Sequence, residues 1–144
     1  MCFVINFQSL YYWGNSSDLK CCPGVTFNKE EETKMKIGIP LEIMTGEARV
    51  ALTPEACGVL VNAGHSVFIE QNAGINSGYL DQEYQQIGAQ LVSSSQALYD
   101  AAQLIVKVKQ PLEQDIASLR SDHILFCYLH LAADAALVQI LCDL

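Results

Sequence analysis

From position 35 onward the chain alternates short apolar runs with segments whose apolar residues recur every three or four positions, and turn residues separate them. Lys36 to Ile39, Ser66 to Glu70, Gln90 to Val92, Ile105 to Val108 and Ile124 to Tyr128 have the length and composition of strands. Thr53 as N-cap, Pro54 in the first turn and Gly64 just past the end bracket a helix, with Ala56, Val59, Leu60 and Ala63 as its expected inward stripe. Further helices are expected from Asp81 to about Ile87, ended by Gly88, from Ser95 to Ala101, and from Leu112 to Leu119 with Leu112, Ile116 and Leu119 on one face. Asp134 caps a last helix through Leu141. Strands separated by single helices build βαβ units, so the expected fold is α/β: a mostly parallel Rossmann-like (flavodoxin-like) sheet with helices on both faces. The alternation stops at Leu144 in mid-pattern, so the sheet is expected to be incomplete at the C-terminus.

Residues 1–34 differ in texture. They hold the only tryptophan, Trp13, a Cys21-Cys22 pair, a Pro23-Gly24 turn and the charged run Lys29 to Lys34, with neither a helical nor a strand period. They lack the positive opening and small-residue cleavage pattern of a signal peptide. The expectation is an unstructured leader over 1–34, outside the native domain, and one domain over 35–144 that begins at Met35.

Composition narrows the function classes. A chain of 144 residues with 51% hydrophobic and 17% charged residues suits one ordinary globular core. Its apolar runs fall short of the roughly 20 residues a spanning helix needs, so no membrane role is expected. A net charge of −8 argues against nucleic acid, whose binding depends on clustered cations. The same charge means that an anionic ligand must be held by local cations. Six cysteines show no C-x-x-C spacing, which leaves a reducing, cytoplasmic setting as the expectation and no metal site. Cys57 and Cys127 read as small buried hydrophobes. Cys127 and His130 stand three apart, but within a strand such residues point to opposite faces.

Cations are scarce, which draws attention to where they fall. Arg49 lies between a strand and a Thr-Pro helix start, and Arg120 is the only other arginine. Lys109 ends the run LIVKVKQP, and His130 follows the run ending in Tyr128. In open α/β sheets ligands bind beyond the carboxyl ends of the strands, where both of these residues lie. Side-chain alternation does not choose between Lys107 and Lys109. His65, after Gly64, reads as structural, and His123 carries no signal. No G-x-G-x-x-G follows any strand, and Gly74 and Gly78 are too far apart to form one.

Taken together, GIP-x-E-x-x-x-G-E-x-R-V-A-L-T-P, KVKQP and YLHLAAD resemble the start of alanine dehydrogenase, within the alanine dehydrogenase / transhydrogenase α-subunit superfamily. The resemblance runs from Met35 to the end of the chain. It implies the substrate-binding portion of an NAD-dependent enzyme that interconverts L-alanine with pyruvate and ammonium. Arg49 and Lys109 match the family's substrate-binding arginine and lysine, and His130 matches its catalytic histidine. The NAD site would lie in a second domain absent from this chain, leaving the fragment alone inactive. Full-length relatives are commonly hexamers, which implies a homo-oligomer. Leu41 and Gln110 depart from the residues usual in the family, and Gln110 removes a negative charge beside Lys109. The transhydrogenase α subunit shares the GIP and R-V-A-x-T-P stretches but typically lacks the second lysine of KVK and the histidine of YLHLAAD. A non-catalytic truncated remnant is the alternative of another class.

Overall fold

The computed structural model describes the backbone of residues 3–5 and the whole of residues 34–144. Among these residues a six-stranded, entirely parallel sheet forms from β1 (Phe3–Ile5), β2 (Lys36–Ile39), β3 (Ser66–Glu70), β4 (Gln90–Val92), β5 (Leu104–Lys109) and β6 (Ile124–Tyr128). Five α-helices accompany it among the described residues: α1 (Pro54–Asn62), α2 (Asp81–Gln86), α3 (Ser95–Ala101), α4 (Glu113–Ile116) and α5 (Ala135–Asp143). The spatial order β1-β6-β5-β2-β3-β4 reverses direction at β2, with β3 on one side and β5 on the other. Counted from β2 this is the 3-2-1-4-5 order of a dinucleotide-fold half, and the crevice beyond the ends of β2 and β5 is its switch point.

Each sheet face carries its own core. Cys57 of α1 and Tyr84 of α2 pack with Ile39, Val67 and Ile69, while Leu98 and Tyr99 of α3 and Leu137 and Leu141 of α5 pack with Ile105, Leu125 and Cys127. Fully burying a side chain such as Leu98 or Ile105 contributes about 1.5–3 kcal/mol, which is why these strands hold their positions. Gly38 lets α3 close onto β2: a Cβ there would stand 2.8 Å from both Ala102 Cβ and Leu98 Cδ2.

Local sequence explains most boundaries. Thr53 Oγ1 accepts the Ala56 N–H at 3.3 Å with Pro54 in the first turn, and Gly64 leaves α1 at φ +90°. Asp134 Oδ1 accepts the Leu137 N–H at 2.9 Å and starts α5.

Three expectations are corrected. The inward side of α1 is carried by Pro54, Cys57, Leu60 and Val61, whereas Val59 is 69% exposed; nearly every residue of this helix is apolar, so its period fits several phases. The helix expected from Leu112 to Leu119 is one turn, Glu113–Ile116, opened by Asp115 accepting the Leu112 N–H at 2.9 Å and giving way after Ile116 to tighter bonds, Ser118 N–H to the Asp115 carbonyl at 3.0 Å and Leu119 N–H to the Ile116 carbonyl at 3.1 Å. Within the leader expected to be unstructured, Phe3–Ile5 pairs with Ile124, Leu125 and Phe126 as an edge strand; three residues are too few to show a period. Cys21, Cys22 and Trp13 lie outside the described residues.

Candidate functional site at the strand exits

The connection from β2 to α1 runs over the switch point and carries Arg49. Two hydrogen bonds from the opposite loop pin it. Ser77 Oγ donates to the Ala48 carbonyl at 2.8 Å and accepts the Val50 N–H at 2.9 Å, so both neighbours of Arg49 are held by one side chain. The glycine-bearing loop 72–78, which lacks the spacing for a phosphate cradle, thus serves to fix the arginine segment. Arg49 lines an open cleft of about 450 Å³ with Val50, Thr53, Ser77, Tyr79 and Val108.

Glu47 holds the arginine itself. Its Oε1 accepts both the Arg49 N–H at 2.9 Å and Nε–H at 2.7 Å, and its Oε2 accepts from Nη2 at 2.6 Å. The guanidinium side chain remains 64% exposed while the Glu47 side chain is 7% exposed. Hydrogen bonds from Arg49 lower the Glu47 carboxyl to about 2, with a smaller contribution from the positive charge of Lys109. The same contact raises the Arg49 guanidinium above its ordinary value.

The two lysines of KVK have different surroundings. Lys107 is buried, its Nζ lying 3.6 Å from Glu42 Oε2 and 3.3 Å from Asp115 Oδ2. Glu42 Oε1 also accepts the Val108 N–H at 2.6 Å, and Asp115 Oδ1 accepts from the Tyr99 hydroxyl at 2.9 Å. This network spans the β2 exit, β5, α3 and α4 and leaves Lys107 no role toward a ligand. Burial, followed by the charge of Asp115 and the hydrogen bond to it, pushes the Tyr99 phenol far above its ordinary value. Lys109 closes β5, half-buried, after a register shift between Val106 and Lys109, and pairs across the sheet with Tyr128. The shift separates two lysines that plain alternation would place on one face. Next to Lys109, Gln110 Oε1 is buried with no hydrogen-bond partner.

His130 stands two residues beyond β6, exposed, with φ 51° and ψ 36°. That left-handed conformation is uncommon for a residue with a side chain. The following turn depends on it, since the His130 carbonyl accepts the Ala133 N–H at 2.9 Å. Arg49, Lys109 and His130 therefore share the carboxyl edge of the sheet. Glu47 links the first two electrostatically, and among the described residues no hydrogen bond or ion pair joins His130 to either. The other histidines are structural. His65 Nδ1 accepts the Met35 N–H at 3.2 Å; buried His123 accepts the Arg120 N–H at Nδ1, 3.1 Å, and reaches the Tyr99 carbonyl through Nε2 at 2.9 Å.

A small carboxylate suits the Arg49 cleft, where a guanidinium faces open space, and Lys109 and His130 stand at the exits of the neighbouring strands β5 and β6. A dinucleotide does not fit: the connection after β2 carries Glu42 and Glu47 where a pyrophosphate would need a glycine cradle, and Gly38 is filled from behind by α3. Among the described residues no cluster of His, Cys, Asp and Glu could hold a metal ion, and no helix is long and apolar enough to cross a membrane. Sequence reasoning gave no role to Glu42, Glu47, Ser77 or Asp115.

Residues 38–143 match the family model described as alanine dehydrogenase/PNT, N-terminal domain. Over 109 residues, 76% of this chain, it is 42% identical to an alanine dehydrogenase of Methanococcus maripaludis and 41% identical to one of Bacillus subtilis. The chain spans 29% of the length of each of these relatives. A solved L-alanine dehydrogenase superposes with a TM-score of 0.73 at 46% identity, over 76% of this chain and 30% of that one. A transhydrogenase from Sinorhizobium meliloti superposes with a TM-score of 0.66 at 29% identity, over 72% of this chain and 29% of that one.

Proposed function

Because the chain belongs to the alanine dehydrogenase/PNT N-terminal-domain family, we propose that its strand-exit crevice holds the carboxylate of pyruvate or L-alanine, as the substrate-binding portion of an NAD-dependent L-alanine dehydrogenase. The observation that supports this most is Arg49: a guanidinium pinned through both neighbouring residues and by Glu47, yet left open on the solvent side of a cleft. A planar fork grips a carboxylate with two parallel hydrogen bonds. Lys109 supplies an ammonium that opposes negative charge developing on the pyruvate oxygen. The His130 imidazole offers a ring nitrogen that can exchange a proton with the substrate's nitrogen-bearing intermediates.

Hydride transfer needs a nicotinamide, and the described residues do not fit one. We place NAD binding outside these 144 residues, so the chain alone turns nothing over. A cytoplasmic setting and a homo-oligomeric assembly belong to the same proposal. A second reading, the N-terminal domain of a transhydrogenase α subunit, draws on the likeness to the Sinorhizobium meliloti structure. Lys109 and His130 favour the dehydrogenase.

The test is a titration of the full 144-residue chain with pyruvate, followed by NMR. Saturable shifts at Arg49, Lys109 and His130, lost in Arg49→Ala and Lys109→Ala, are expected. Shifts that are absent, or that persist unchanged in both variants, rule the proposal out.

A further inference from the structure

We propose that Glu47 is the positioning residue of the site: by occupying the Nε–Nη2 side of Arg49 it turns the Nη1–Nη2 edge outward as the face that receives a substrate carboxylate. This rests on the reading of Arg49 as the carboxylate clamp. A guanidinium offers two edges on which a carboxylate can bind with two hydrogen bonds, the side formed by Nε and one terminal nitrogen and the end formed by both terminal nitrogens. Glu47 takes the side edge completely, with Oε1 on Nε at 2.7 Å and Oε2 on Nη2 at 2.6 Å. The remaining edge carries Nη1, which this pairing leaves unused, and the Arg49 side chain as a whole stays 64% exposed.

The hold is built into the backbone. Glu47 Oε1 also accepts the Arg49 N–H at 2.9 Å, so one carboxylate fixes the main chain and the head group of the same residue. The Glu47 N–H in turn donates to the Met44 carbonyl at 3.0 Å, and Ser77 clamps the carbonyl and the N–H on either side of Arg49. An arginine with several freely rotating bonds is thereby reduced to one orientation before any ligand arrives, and less ordering is left to do on binding.

Glu47 also has an electrostatic effect of the opposite sign. It sets a negative charge against Arg49 and within electrostatic reach of Lys109, and so weakens the general pull on anions there. Geometry and charge therefore predict opposite consequences for one substitution. Removing the charge with Glu47→Gln strengthens anion binding if Glu47 is only a counter-ion and weakens it if Glu47 is the residue that aims the fork. Gln places an amide NH2 against a donor of the guanidinium, so the two-bond hold cannot form. Glu47→Asp keeps the charge but shortens the reach, so it tests geometry alone.

The experiment is pyruvate titration of the full chain by NMR, with wild type, Glu47→Gln, Glu47→Asp and Arg49→Ala in parallel, each accepted on a native-like spectrum. Both Glu47 variants are expected to bind pyruvate about tenfold more weakly, the cost of misaligning one charge-assisted hydrogen bond. The Arg49 Nε–H signal, protected in the wild type, is expected to exchange fast with water in Glu47→Gln. If Arg49→Ala abolishes binding while both Glu47 variants bind as tightly as wild type or more tightly, the positioning role is overturned and the clamp stands. If pyruvate binding does not depend on Arg49, the clamp and the positioning role fall together. Should Glu47→Gln fail to fold, Glu47→Asp decides alone.

Discussion

Lys107 Nζ lies 3.3 Å from Asp115 Oδ2, with the two side chains 1% and 3% exposed, and this contact fastens the end of β5 to α4 beneath the site. Glu42 approaches the same ammonium at 3.6 Å from the β2 exit. Removing the cation alone leaves two buried carboxylates facing each other. Lys107→Met is expected to lose about 3–5 kcal/mol, the usual cost of breaking a buried pair from one side. Lys109→Met, at a half-buried strand end, is expected to change stability by less than about 0.5 kcal/mol. Urea denaturation of the two variants measures both; equal losses would contradict the division of labour between the lysines.

That division was only partly visible in the sequence. The strands were legible because apolar runs of four to six residues between turn residues leave little choice of boundary, as at β2 and β3. The capped helix starts were legible because Thr53 and Asp134 act on residues three positions away. Arg49, Lys109 and His130 could be singled out by residue type and motif, and the fold brings them to one edge. The network that holds them could not be read, because its contacts are remote in the chain: Glu42 meets Val108 across 66 positions and Ser77 meets Val50 across 27. Nor could the separation of Lys107 from Lys109, which depends on a register shift that no period encodes.

Ser77→Ala tests the remote clamp. It removes a donor to the Ala48 carbonyl and the acceptor for the Val50 N–H. Global stability is expected to fall by about 1 kcal/mol, the net worth of one or two hydrogen bonds. Amide hydrogen exchange at Arg49 and Val50 is expected to rise by more than in α3, because the loss is local. Uniform acceleration over the whole chain would show that Ser77 acts on the fold and not on the arginine segment.

Gly38→Ala tests how closely α3 is seated on the sheet. The added methyl would stand 2.8 Å from the Ala102 and Leu98 side-chain carbons, inside a core with little freedom to give way. A loss of about 1–3 kcal/mol is expected from overpacking, read as a lower urea midpoint with an unchanged slope. Combining it with Leu98→Ala should recover part of that loss, because both act on the same space; strictly additive losses would place the strain elsewhere.

His123 makes stability depend on pH. The buried imidazole is held below its ordinary value of 6.5, first by burial and then by the nearby positive charge of Arg120, which outweigh the hydrogen bond to the Tyr99 carbonyl. Its Nδ1 accepts the Arg120 N–H, a bond that protonation would destroy. Because the folded pKa lies below the unfolded one, the unfolded chain takes up its proton first as pH falls. Stability from this group is therefore complete above about pH 6.5 and is lost progressively below it, until the folded imidazole protonates as well. Urea midpoints measured from pH 7.5 downward should decline more steeply below about pH 6.5 in the wild type than in His123→Gln, which has no imidazole to titrate. Parallel curves for the two proteins would assign the decline to other groups.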